Sequence, residues 1–183
     1  MTIQTQPVCS EMLKFLPLLG KILAHSFQNL GITKVIAPEA RGPVLGALAA
    51  QELRAGLILV RKDGGNHPGG DTLTESSLMW RGQSERFMSR SFDLDFGDHV
   101  LVVDDWVTTG STIRAVVESV SESGARYHGS SVIVNKADAT TISDLHIKWL
   151  VCFDELSSCK LLVEEFAFCL TTTNGYIAMG YFK

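Results

Sequence analysis

The sequence predicts an α/β fold, a doubly wound and mostly parallel sheet with helices on both faces. Two observations carry this prediction. The apolar runs "KVIA", "LILV", "VLVV" and "SVIV" lack the alternation of a half-exposed strand, so both faces of each must be covered. Between them lie stretches with apolar residues at helical spacing and glycine stops, the alternation that builds parallel crossovers. With 183 residues, 45% hydrophobic and 20% charged, the chain is expected to form one domain over residues 1–183.

The elements follow in order. Leu13, Leu16, Leu19, Leu23 and Phe27 predict an amphipathic helix over residues 11–29, stopped at Gly31. "TKVIAP" is a strand, and "EARGPVLGALAAQEL" continues as a helix to about Arg54. "GLILVRK" is a second strand, leading into "DGGNHPGGDTLTESS", whose glycines and proline predict an irregular loop that can act as a lid. Residues 78–95 read as a strand or hairpin, and Gly97 and Asp98 as a turn into the strand "HVLVVDD". Ile113, Val116, Val117 and Val120 mark a helix ending at Gly124, and "YHGSSVIVNKA" is the next buried strand. "KWLVCF", "LLVEEFAFCL" and "GYIAMGYF" read as further strands, or a short helix and strands. Right-handed crossovers place the loops after Ala37, Val60, Val103 and Val134 at one carboxyl rim, where open α/β sheets bind ligands.

Composition narrows the function. A formal net charge of -4 offers no broad basic field, so nucleic acid is not an expected partner. The apolar stretch 12–27 is broken by Lys14, Pro17 and Lys21, which predicts no membrane span and a cytoplasmic protein. Cys9, Cys152, Cys159 and Cys169 form no CxxC pair and read as buried thiols; the five histidines show no metal-ligand spacing. No Ser/His/Asp order is legible, so covalent hydrolysis is unsupported.

The chemistry concentrates in "VLVVDDWVTTGSTI", residues 100–113. A loop between a buried strand and a helix start presents free amides, and the helix dipole adds positive potential, so residues 108–112 can hold a phosphate. Gly110 lets the backbone approach, and Thr108, Thr109, Ser111 and Thr112 add hydroxyl donors. Asp104 and Asp105 cannot face that phosphate favourably. They suit sugar hydroxyls or a hydrated divalent cation, and the combination describes a ribose 5-phosphate.

This pattern resembles the type I phosphoribosyltransferases, whose phosphoribosyl pyrophosphate (PRPP) motif is a hydrophobic strand, two acids and a "TTGST"-like loop. "PEARGPVLG" and "VRKDGGNHPGG" are similar to the pyrophosphate loop and the loop-leading segment of the adenine-specific members, so the likeness runs from about residue 33 to residue 136. The resemblance implies a core of about residues 33–153 and a small hood built from the N-terminal helix and the C-terminal segment. It implies Mg²⁺-dependent transfer of ribose 5-phosphate from PRPP to a purine, adenine or a 6-oxopurine, and a homodimer. Asp104, Asp105, Arg61 and Lys62 would serve the chemistry, with Asp104 and Asp105 meeting Mg²⁺ through water. Thr108, Thr109, Gly110, Ser111, Thr112, Arg41 and Gly42 would bind PRPP. Lys136, at the end of "SVIVNK", would meet the base oxygen. Adenine-specific members carry "EYxLEYG" after the flexible loop; this chain has "SSLMWRGQSE", with Trp80 where the glutamate would stand and Glu75 and Glu85 nearby. That departure leaves open a second reading, a non-catalytic sensor of PRPP or nucleotide. Trp106 and Trp149 are expected mainly to pack in the core.

Overall fold

The computed structural model of the protein describes residues 6–62, 72–75, 86–89 and 94–158, with side chains for 15–61 and 94–155. The elements are α1 (Gln6–His25), β1 (Lys34–Pro38), α2 (Gly42–Leu53), β2 (Gly56–Lys62), β3 (Thr72–Glu75), β4 (Arg86–Ser89), β5 (His99–Val107), α3 (Ser111–Glu122), β6 (Arg126–Asn135), α4 (Ala139–Asp144), β7 (Ile147–Cys152) and α5 (Phe153–Ser158). They form one sheet of order β3-β4-β2-β1-β5-β6-β7. Its five strands from β2 to β7 are mutually parallel, and β4 and β3 add an antiparallel hairpin beside the end of β2.

Strand order reverses between β1 and β5. From β1 the chain crosses through α2 to β2 on one side; from β5 it crosses through α3 to β6 on the other. The two crossovers diverge there and leave a crevice outside the carboxyl ends of β1 and β5, the position where doubly wound sheets take ligands.

Both faces are covered, as the uninterrupted apolar runs require. Ile113, Val116 and Val120 of α3 pack with Ile36, Ile58, Val100, Val102 and Val132. Leu19, Leu23, Leu45 and Ala49 of α1 and α2 pack with Val35, Leu101 and Val103. A Cβ on Gly46 would stand 2.5 Å from the Ala37 Cβ, so α2 lies against β1 at a distance only glycine permits.

At the opposite end of the sheet Asp98 ties the starts of β1 and β5 together. It accepts from the Thr33 hydroxyl at 2.7 Å and from the Asp95 amide at 3.0 Å, with Lys34 Nζ at 3.9 Å. Burial alone would raise its pKa, but the Thr33 and Asp95 hydrogen bonds and the Lys34 charge outweigh it and hold the carboxyl below its usual value. A depressed folded-state pKa gives stability that is present above the unfolded value and is lost as pH falls through the folded one. Asp98→Asn is therefore expected to cost about 1 to 2 kcal/mol at neutral pH, and the difference from wild type should shrink in urea melts carried into acid.

Several sequence expectations shift. α1 spans Gln6–His25 rather than residues 11–29, because the chain leaves the helix through successive turns, Phe27 N–H donating to Ala24 O and Leu30 N–H to Phe27 O. The stretch expected to be irregular contains β3, which pairs Leu73 with Met88 and Glu75 with Arg86; the hairpin satisfies its backbone despite the flanking glycines. The lid expected over residues 63–77 otherwise falls on residues outside those described, as do the C-terminal strands. α4 was unanticipated, although the Asp138 carboxylate caps it by accepting from Thr141 N–H at 2.7 Å. Trp149 is 43% exposed rather than packed in the core, because β7 is the edge strand of the sheet. Cys152 is a free, half-buried thiol, whereas Cys159 and Cys169 lie outside the described residues. Among the described residues no helix is long and apolar enough to cross a membrane.

Candidate functional site

The acids lie within β5 and not beyond it, because the strand runs on to Val107. Val100 and Val102 pack with α3, and Leu101 and Val103 with α1 and α2. Past the acids Trp106 joins the α1 and α2 side and Val107 the α3 side. The two-residue alternation thus inverts across Asp104 and Asp105, which changes how the strand presents them.

The two carboxylates have different surroundings. Asp104 is buried, and its Oδ1 accepts the Asp105 amide at 2.8 Å. A Cβ on Gly42, at the start of α2, would lie 3.4 Å from the same oxygen, so this glycine covers Asp104 closely. Burial first, and the neighbouring Asp105 charge second, push the Asp104 carboxyl well above the usual carboxylate range. Asp105 sits nearer the rim, its side chain 12% exposed, with Oδ2 against Arg41 Nε. That buried oxygen makes the ion pair but no aligned hydrogen bond.

Gly110 caps α3 with φ +72°, in the left-handed region. A Cβ there would meet Leu145 Cδ1 at 2.7 Å and Thr141 Cγ2 at 2.8 Å, so α4 and the turn after it form the back wall of the loop that starts α3. Thr109 Oγ1 donates to Ser111 Oγ at 3.2 Å; Thr108, Ser111 and Thr112 are half-buried around the helix start. The amides of the first helical turn have no intrahelical acceptor, and that of Ser111 donates to Thr109 Oγ1 at 3.4 Å.

Arg41 and Arg61 arrive from β1 and β2. Arg61 Nε lies 3.4 Å from Glu39 Oε1, and the Glu39 amide donates to Val60 O at 2.9 Å, stitching the loop after β1 to the end of β2. Lys62 ends β2, and its side chain lies outside the described residues. On the other flank, Lys136 follows β6 with its amide donating to Val107 O at 2.9 Å. Its side chain is exposed and stands 4.2 Å above the Phe153 ring, which meets Trp106 edge to face at 5.3 Å. The described expected residues therefore share one rim: Arg41, Arg61 and Asp105 at the centre, residues 108–112 and Lys136 along one side. Glu39, Phe153, Thr141 and Leu145 were not singled out from sequence. Glu39 had a signal, its place in "PEARG", whereas the other three are found only through tertiary contact.

Such a rim, an amide-rich helix start beside a carboxylate and two guanidinium groups at a switch point, has the chemistry to suit a phosphorylated, hydroxylated and polyanionic ligand. The Phosphoribosyl transferase domain family matches residues 11–158, and the chain belongs to it. The chain is 36% identical over 119 residues to an adenine phosphoribosyltransferase of Pectobacterium carotovorum, covering 64% of this chain and 62% of that relative. It is 37% identical over 128 residues to one of Streptomyces avermitilis, covering 70% and 68% respectively. The fold matches the crystal structures of adenine phosphoribosyltransferases from Rhodothermus marinus and Thermoanaerobacter pseudethanolicus. For the first the TM-score is 0.67 at 27% identity, covering 81% of this chain and 84% of that one. For the second it is 0.70 at 25% identity, covering 80% and 85%. The sheet described above, with helices on both faces, is thus the type I phosphoribosyltransferase fold.

Proposed function

We propose that the protein transfers ribose 5-phosphate from PRPP to a ring nitrogen of a purine, adenine or a 6-oxopurine, and releases pyrophosphate. One observation carries this reading: the Asp105 carboxylate stands between the α3 phosphate loop and the two guanidinium groups on a single rim. A ribose with phosphate at one end and pyrophosphate at the other matches that order. The named relatives act in the same sense, as adenine phosphoribosyltransferases.

In this reading residues 108–112 hold the 5-phosphate, and Gly42 together with Arg41, Arg61 and Lys62 takes the pyrophosphate. Asp105 faces the ribose hydroxyls, and its negative charge favours the positive charge that develops on the sugar as the bond to pyrophosphate breaks. Asp104 fixes the Asp105 backbone from below through its accepted hydrogen bond. The donor set fits Mg²⁺ held through water. Asp105 Oδ2 is buried without a hydrogen bond, and no group of three or more His, Cys, Asp or Glu side chains converges among the described residues to form a cage. When bound with PRPP the ion would neutralise the leaving pyrophosphate. A cytoplasmic homodimer completes the reading.

The test is pyrophosphate release from PRPP and Mg²⁺ with adenine, hypoxanthine, guanine and xanthine offered singly. Turnover with one base names the acceptor. No turnover, with PRPP still raising the melting temperature, leaves the sensor. If the acceptor is a 6-oxopurine, Lys136→Ala is expected to lower kcat/KM for it by about tenfold or more, the worth of a charged hydrogen bond. The same change should leave any adenine activity alone, because adenine has no oxygen there to accept.

A further inference from the structure

Both described guanidinium groups assigned above to pyrophosphate already have acidic partners in the free protein. Arg41 lies against Asp105 and Arg61 against Glu39. The first pairing joins two groups that the transfer chemistry uses. The second brings in a carboxylate that the chemistry does not call for: a negative charge at the pyrophosphate corner repels the ligand. Its placement is built in, since the Glu39 amide is bonded to Val60 O, one residue before Arg61. The Glu39 and Arg61 side chains are 33% and 37% exposed, so water can replace either partner and the pair can open without a large desolvation cost.

We propose that Glu39 is a competing carboxylate that tunes affinity for the pyrophosphate group. It holds Arg61 in the free protein, yields it when PRPP enters and reclaims it as pyrophosphate leaves. Glu39 thus weakens binding of the leaving group while keeping Arg61 aimed at the crevice. The inference rests on the reading of the rim as a PRPP site.

The sign of the effect separates this role from a structural one, because loss of a merely structural contact does not tighten a ligand. Titration calorimetry on the full chain, with Mg²⁺-pyrophosphate and ribose 5-phosphate as separate probes, compares wild type with Glu39→Gln. Pyrophosphate is expected to bind roughly two- to fivefold more tightly to the variant, the worth of one exposed ion pair, with ribose 5-phosphate unchanged. Glu39→Ala, which removes the carboxylate differently, must give the same sign. Pyrophosphate affinity that is unchanged or weaker overturns the proposal, and so does equal tightening of both probes, which would mark a general field effect. A wild-type protein that binds neither probe rejects the PRPP reading itself, an outcome distinct from failure of the Glu39 role.

Discussion

Asp105→Asn is expected to lower turnover by about a hundredfold or more while leaving the protein at least as stable as wild type at neutral pH. The activity loss follows from position: Asp105 is the rim carboxylate that the ribose would meet, and the amide that replaces it carries no charge to offset the developing cation. The stability gain follows from Asp104. Burial raises the Asp104 pKa most, and the Asp105 charge raises it further. A group with a raised folded-state pKa contributes stability that is full below its unfolded value and is lost as pH rises through the folded value. Removing the Asp105 charge removes part of that loss, so the variant should melt higher than wild type at neutral pH and converge with it in acid. Little is forfeited in exchange, because Arg41 is 56% exposed and returns to water. Paired measurements of pyrophosphate release and of melting temperature between about pH 5 and pH 8 check both halves. An active variant rejects the role of the carboxylate. An inactive one that melts lower at neutral pH rejects the account of the acid pair, in which a destabilising charge is kept for function.

The parts of this molecule legible in the sequence were those set by local chemistry. The parts hidden from it depend on which elements meet. β5 and the loop after it were readable because an unalternating strand must be buried, and because two acids beside an amide-rich helix start have few joint uses. β1, α2, β2, α3 and β6 followed from apolar period and glycine stops, and parallel crossovers then brought their loops to one rim. The inversion of alternation across Asp104 and Asp105 was not readable: it needs both helical layers to reveal which residue packs where. Lys136 was placed at the carboxyl end of β6 by its strand alone, yet its neighbour Phe153 comes from the chain after β7, seventeen positions on. Trp149 misled because an aromatic in an apolar run reads as core until the strand is known to be the sheet edge. The short hairpin strand β3 was masked by its glycine-rich flank, where backbone pairing with β4 overrides composition.

Gly110→Ala is expected to destabilise the fold by about 2 to 5 kcal/mol and to weaken phosphate binding with it. Two costs add. The residue holds φ +72°, where an L side chain is unfavourable by about 1 to 2 kcal/mol. The new methyl would also stand 2.7 Å from Leu145 Cδ1 and 2.8 Å from Thr141 Cγ2, and such overpacking costs about 1 to 3 kcal/mol. Both neighbours are buried, so neither has free space to move into, and the loop itself must give. Because the loop carries the amides that would face the phosphate, its displacement should raise the dissociation constant of ribose 5-phosphate along with lowering stability. A second substitution separates the two costs. Thr141→Ser deletes the Cγ2 methyl and keeps the hydroxyl, so combined with Gly110→Ala it should recover part of the steric cost but none of the backbone cost. Urea melts of the two single variants and the double variant measure the coupling. Recovery in stability accompanied by recovery in ribose 5-phosphate affinity ties the back wall built by α4 to the phosphate loop. Strict additivity, with affinity untouched in every variant, would show that the phosphate is held elsewhere.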